Sequence, residues 1–165
     1  MKLPTLLPVM ALFAFLTFSC SSDPIEDTVE QSIEETFIPQ AKELEIEVLE
    51  LINEHRISID LEPLKVLDII RGVAFSHTDF MIEEGELTHA NFFQRRESLE
   101  RNANANRVGE NLAFAFTNAE SVVRAWLNSD GHRENIEDSN YTHFDISAEQ
   151  DENGRWYYTN IFIRR

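Results

Sequence analysis

Two imidazoles and one carboxylate hold the chemical interest of this chain: His89, Glu110 within Gly109-Glu110-Asn111-Leu112-Ala113, and His132 within Ser129-Asp130-Gly131-His132-Arg133-Glu134-Asn135-Ile136. Two neutral imidazoles and a carboxylate make a ligand set for Zn²⁺ or another divalent metal, with a fourth position left open. The same trio suits acid–base catalysis, because histidine titrates near neutrality and a neighbouring carboxylate fixes its tautomer. Spacing alone does not show that the three meet. No paired-histidine helical zinc motif, phosphate loop or serine elbow narrows the choice. Simpler roles stand beside these: Glu110 as the brace of a loop, His132 as a donor at a helix start, Asn111 and Asn135 as partners for backbone groups.

Helices and strands must position these side chains. Ala41, Leu44, Val48, Leu51, Ile52 and His55 recur at three- and four-residue steps and predict a first helix over 41–56, with Glu43, Glu45, Glu47 and Glu50 on its outer face. Pro63 suits the first turn of a second helix. Its buried stripe runs through Val66, Ile69, Ile70, Val73, Ala74, His77, Phe80 and Met81, and Gly85 ends it. His77 on that stripe reads as a core histidine satisfied by backbone. After a loop at 87–91, a short helix over 92–101 turns Phe93 and Leu99 inward. Leu112, Phe114 and Phe116 alternate with small residues as in a strand. Thr117 and Glu120 have the spacing of a capping box for a third helix carrying Val122, Val123, Trp126 and Leu127, which stops near Asn128.

The C-terminal part reads as a hairpin. Phe144, Ile146 and Ala148 alternate with His143, Asp145 and Ser147, and Asp151-Glu152-Asn153-Gly154 supplies the turn. The strand from Trp156 to Ile163 is apolar on both faces, as a central strand covered on two sides should be. Helices followed by such a hairpin predict an α+β fold, a three-layer α–β–α sandwich around a small antiparallel sheet.

The amino terminus reads differently. Lys2 followed by an apolar run to Phe18 has the form of an export leader, over 1–19, too short and interrupted for a comfortable membrane span. Cys20, the only cysteine, follows directly, and its setting resembles a bacterial lipoprotein cleavage site, although Thr17 stands where an aliphatic residue is usual. That resemblance implies a lipidated Cys20 as the membrane anchor of an exported envelope protein. Residues 20–40 form an acidic tether and 41–165 the folded domain. A single cysteine makes no internal disulfide, so the domain stands on its core alone. With 14 basic against 30 acidic residues, the formal net charge of −16 excludes a phosphate-backbone binder, and no nucleic-acid partner is expected.

Several separated motifs share an order found elsewhere. Leu51-Ile52-Asn53-Glu54-His55-Arg56 precedes Leu61-Glu62-Pro63-Leu64 and then Ala74-Phe75-Ser76-His77-Thr78-Asp79-Phe80-Met81. Gly109-Glu110-Asn111-Leu112-Ala113 and the stretch from Trp126 to Ile136 follow. Together they resemble the CAP superfamily, the cysteine-rich secretory, antigen 5 and pathogenesis-related proteins with an SCP domain, in its compact bacterial branch. The resemblance implies the same α–β–α sandwich and a cleft tetrad of two histidines and two acidic residues, to which His89, Glu110 and His132 correspond. The fourth member has no counterpart: Leu127-Asn128-Ser129-Asp130 follows Trp126, leaving Ser129 or Asp130 as candidates. Asp145 and Ser147 replace the small glycines usual in bacterial relatives, and Phe92-Phe93 replaces a polar turn. The resemblance implies a binding module whose cleft takes a metal ion, a small ligand, a peptide or a glycan; the alternative is a metal- or histidine-dependent hydrolase using the same cleft.

Overall fold

Residues 37–165 are described by the computed structural model. The leader, Cys20 and most of the acidic tether lie outside them. The elements are α1 (Glu43–Ser58), β1 (Lys65–Val66), α2 (Asp68–Glu84), α3 (Phe92–Ala103), β2 (Arg107–Phe114), α4 (Ala119–Leu127), α5 (Asp130–Glu137), β3 (His143–Gln150) and β4 (Trp156–Arg164). The strands form one sheet in the order β1-β3-β4-β2.

Alternation along the strands separates two cores. Phe144, Ile146, Ala148, Tyr158 and Phe162 face one side and pack with Val48 and Ile52 of α1, Val122 and Trp126 of α4 and Ile136 of α5. Ile161 and Ile163 face the other, against Ile70, Val73 and Ala74 of α2 and Leu99 and Ala103 of α3. This is the α–β–α sandwich expected from the sequence. β4 is interior, between β3 and β2, which is why its residues are apolar on both faces. The sheet is antiparallel except at β1, which runs parallel to β3.

Local chemistry explains most boundaries. Gly85 ends α2 at φ 66°, and Gly154 makes the β3–β4 turn at φ 76°, both in the left-handed region that disfavours side chains. Four expectations are corrected. Pro63 does not start α2, because Lys65 and Val66 pair with β3 and the helix begins at Asp68. Asn118, not Thr117, caps α4, its Oδ1 accepting from the Ser121 amide at 2.9 Å. Phe93 is 79% exposed; the inward stripe of α3 is Arg95, Leu99 and Ala103. Glu45 is buried instead of facing solvent, because its carboxylate accepts from the Lys42 amide and from the Ala148 amide of β3, both at 2.7 Å.

β3 also departs from a simple in-and-out strand. Covered by α2, Asp145 and Ser147 are fully buried, and Asp145 Oδ2 and Ser147 Oγ have no hydrogen-bond partner among the described residues. Arg71 Nη1 lies 3.6 Å from Asp145 Oδ2, beyond hydrogen-bond reach. Burial is the largest influence on Asp145, and it outweighs the Ile146 amide and Arg71 to push the carboxyl up to about 7. The unfolded chain ionises this group first, so its contribution to stability is present at low pH and is lost as pH rises from the ordinary aspartate range to about 7. Urea unfolding of the wild type between about pH 5 and about pH 8 should show a loss that Asp145→Asn reduces by roughly 1–3 kcal/mol. Parallel pH profiles for the two proteins would contradict this assignment.

Candidate functional site

β2 is an edge strand, and its alternation sends Glu110 to the α2–α3 side and Asn111 to the α5 side. Glu110 pairs in register with Ile161, so its side chain enters the same layer as the α2 and α3 core. The neighbouring Gly109 is required by close packing, since a Cβ there would collide with the Tyr141 hydroxyl and Asn135 Oδ1. Indole Nε1 of Trp126 donates to the Leu112 carbonyl at 2.9 Å and fixes α4 on the same strand.

The Glu110 carboxylate is fully engaged. Arg95 donates to it through two nitrogens, Nε to Oε2 and Nη2 to Oε1, each at 2.8 Å. His89 Nδ1 sits 2.8 Å from Oε1, and His77 Nε2 lies 4.0 Å from the same oxygen. Burial alone would raise the carboxyl, but the hydrogen bonds from His89 and Arg95 and the charge of Arg95 outweigh it and hold Glu110 below the usual carboxylate range. Arg95 Nη1 also donates to the Ala90 carbonyl at 2.7 Å, and the Phe92 amide to the His89 carbonyl at 3.2 Å. The loop carrying His89 is thereby tied to α3. With Nδ1 held by the carboxylate, His89 leaves Nε2 without a hydrogen-bond partner among the described residues, on a side chain that is 57% exposed.

His77 behaves as the sequence suggests, its Nε2 bonded to the Thr88 carbonyl at 2.8 Å and its ring stacked on Phe80. Burial, and then the Arg95 charge, lower its pKa and keep it neutral. Across the strand edge, Asn111 Nδ2 donates to the His132 carbonyl at 3.0 Å, and Asn135 Nδ2 donates to Asn111 Oδ1 at 2.9 Å. These amides seat α5 on β2. Burial lowers the His132 pKa, and the proximity of His89 lowers it further. The structure thus brings His89 and Glu110 into contact and sets His132 near His89, with no hydrogen bond between His132 and Glu110 among the described residues.

Of the two candidates for a fourth cleft residue, only Asp130 has a side-chain partner among the described residues. Ser129 is the N-cap residue of α5, and the exposed Asp130 carboxylate accepts from Arg133 at 2.6 Å. Gly131 lies inside α5 rather than breaking the chain. Arg95 takes the interior place instead. It was hidden in a charged run from Gln94 to Arg101, and only its four-residue spacing from Leu99 and Ala103 marked it as inward.

A metal on His89, Glu110 and His132 does not fit this arrangement. Among the described residues no three His, Cys, Asp or Glu side chains are grouped to hold an ion. Both Glu110 oxygens already accept from a guanidinium, whose charge opposes a cation at that point. The arrangement offers instead a pinned imidazole with one free nitrogen, and a second, neutral imidazole beside it.

The cysteine-rich secretory protein family model, CAP, matches residues 49–162. The chain belongs to the CAP family. Among curated relatives, the uncharacterized membrane protein YlbC of Bacillus subtilis is 32% identical over 124 residues, 73% of this chain and 34% of that protein. The uncharacterized protein YkwD of the same organism is 31% identical over 107 residues, 62% of this chain and 41% of that protein. The chain therefore spans well under half the length of either. Its fold is shared with an outer surface protein of Borrelia burgdorferi, at a TM-score of 0.69 and 23% identity over 79% of this chain and 98% of the other. An extracellular SCP-domain protein of Bacillus anthracis matches at a TM-score of 0.65 and 24% identity, over 73% of this chain and 40% of that one.

The Arg95–Glu110 pair carries a stability consequence for this CAP domain. Arg95→Ala leaves a buried carboxylate without its counter-ion, and the expected cost is about 3–5 kcal/mol in denaturant unfolding at neutral pH. A loss below about 1 kcal/mol, the size of an exposed pair, would contradict the burial and the two-pronged geometry.

Proposed function

We propose that this CAP domain is a binding module at the bacterial cell envelope, tethered through lipidated Cys20, whose cleft along the edge of β2 takes a small polar ligand by hydrogen bonds to His89 and His132. One observation carries the reading: Arg95 neutralises Glu110, so the carboxylate orients His89 rather than serving as a charged ligand. The imidazole of His89, its Nδ1 held by Glu110, and the imidazole of His132, whose pKa burial lowers, supply hydrogen-bonding nitrogens for such a ligand. The names of its relatives support the location, since one is called a membrane protein and two structural neighbours an outer surface and an extracellular protein.

A second reading is favoured by the His89–Glu110 hydrogen bond, which has the form of a general base and its orienting carboxylate. In that hydrolase His89 Nε2 would take a proton from water attacking an amide or ester. No nucleophilic serine or cysteine joins the pair among the described residues.

One set of measurements tests the proposal. With a mixture of short peptides and soluble cell-wall fragments as probe, the imidazole resonances of His89 and His132 should shift saturably in the NMR spectrum while the mixture stays uncleaved. Cys20→Ser should move the protein from the membrane to the soluble fraction. Cleavage products that vanish in Glu110→Gln would establish the hydrolase instead, and unchanged fractionation of Cys20→Ser would remove the anchor.

A further inference from the structure

Away from the histidine cleft, a groove of about 420 Å³ runs between α1 and the β1–α2 junction. This is within the size range of ligand pockets. Ile46, Leu49 and Ile57 of α1 and Val66 of β1 supply its apolar surface. Three of them are unusually exposed for their type, Ile46 at 46%, Ile57 at 58% and Val66 at 51%. They lie together rather than scattered, which distinguishes a docking surface from ordinary surface apolar residues.

The polar groups around the groove divide into engaged and free. Asn53 is bonded to both backbone groups of Leu64, and Arg71 to the Pro39 carbonyl and the Asp68 carboxylate. Glu50 and Glu54 are exposed on the groove wall and form no ion pair among the described residues. An apolar floor beside two uncompensated carboxylates is complementary to a segment carrying aliphatic side chains on one face and lysine or arginine next to them. A second copy of this chain, itself at a net charge of −16, is disfavoured as occupant, and so is an anionic lipid surface.

We propose that the α1–β1–α2 groove is a docking site for a cationic amphipathic peptide segment, its aliphatic side chains lying between Ile46, Ile57 and Val66 and its basic groups on Glu50 and Glu54. The site is independent of the histidine cleft and of the reading given to it.

The test uses the full chain and a fluorescently labelled amphipathic helix built only of leucine and lysine, followed by anisotropy. Binding should be saturable. The double variant Glu50→Lys/Glu54→Lys and the double variant Ile46→Ser/Ile57→Ser should each weaken it by at least about tenfold. Glu83→Lys/Glu84→Lys, the same charge change at exposed positions at the far end of α2, should stay within about threefold. Absence of saturable binding would overturn the proposal. An equal loss in the Glu83/Glu84 variant would also overturn it, by reducing the effect to diffuse attraction, as would undiminished binding by the isoleucine variant.

Discussion

The two-nitrogen contact between Arg95 and Glu110 is the interaction on which the arrangement around β2 depends. Taking a carboxylate and a guanidinium out of water is costly, and the cost is offset only where geometry is close and the remaining polar atoms are satisfied. Here both Glu110 oxygens are bonded, and the remaining Arg95 nitrogen holds the Ala90 carbonyl beside His89. One side chain therefore fixes the carboxylate, the helix α3 that carries it and the loop that presents His89. It also sets the chemistry, because the negative charge that would draw a cation is already paired.

An edge strand makes this two-sided arrangement available. Adjacent positions on β2 point to opposite faces, so Glu110 reaches α3 while Asn111 reaches α5, and His89 and His132 approach each other around the free edge. Gly109 lets α5 and Tyr141 pack closely enough for this to happen. In an interior strand such as β4, both neighbouring positions are covered and no such meeting place exists.

The layers were legible in the sequence because burial leaves a periodic signature: three-and-four spacing in α1 and α2, two-sided apolarity in β4. His89 and Glu110 were legible as chemistry-bearing types, and their contact is observed. Arg95 was not, since a lone inward arginine among outward charges leaves no apolar period, and Phe93 beside it suggested the opposite face. Asp145 and Ser147 alternate with the apolar positions of β3, and the cover that α2 provides for them is a tertiary fact invisible in local alternation. Short α5 was missed because Gly131 and its polar residues imitate a turn, while its seat on β2 comes from side-chain amides.

Arg95 engages both oxygens of Glu110 and leaves that carboxylate ill suited to a metal. Crystals of the protein soaked in Zn²⁺ at neutral pH test it most directly. The expected density keeps Arg95 on both Glu110 oxygens and shows no ion on that carboxylate. An ion bound jointly by His89, Glu110 and His132, with Arg95 displaced, would contradict it.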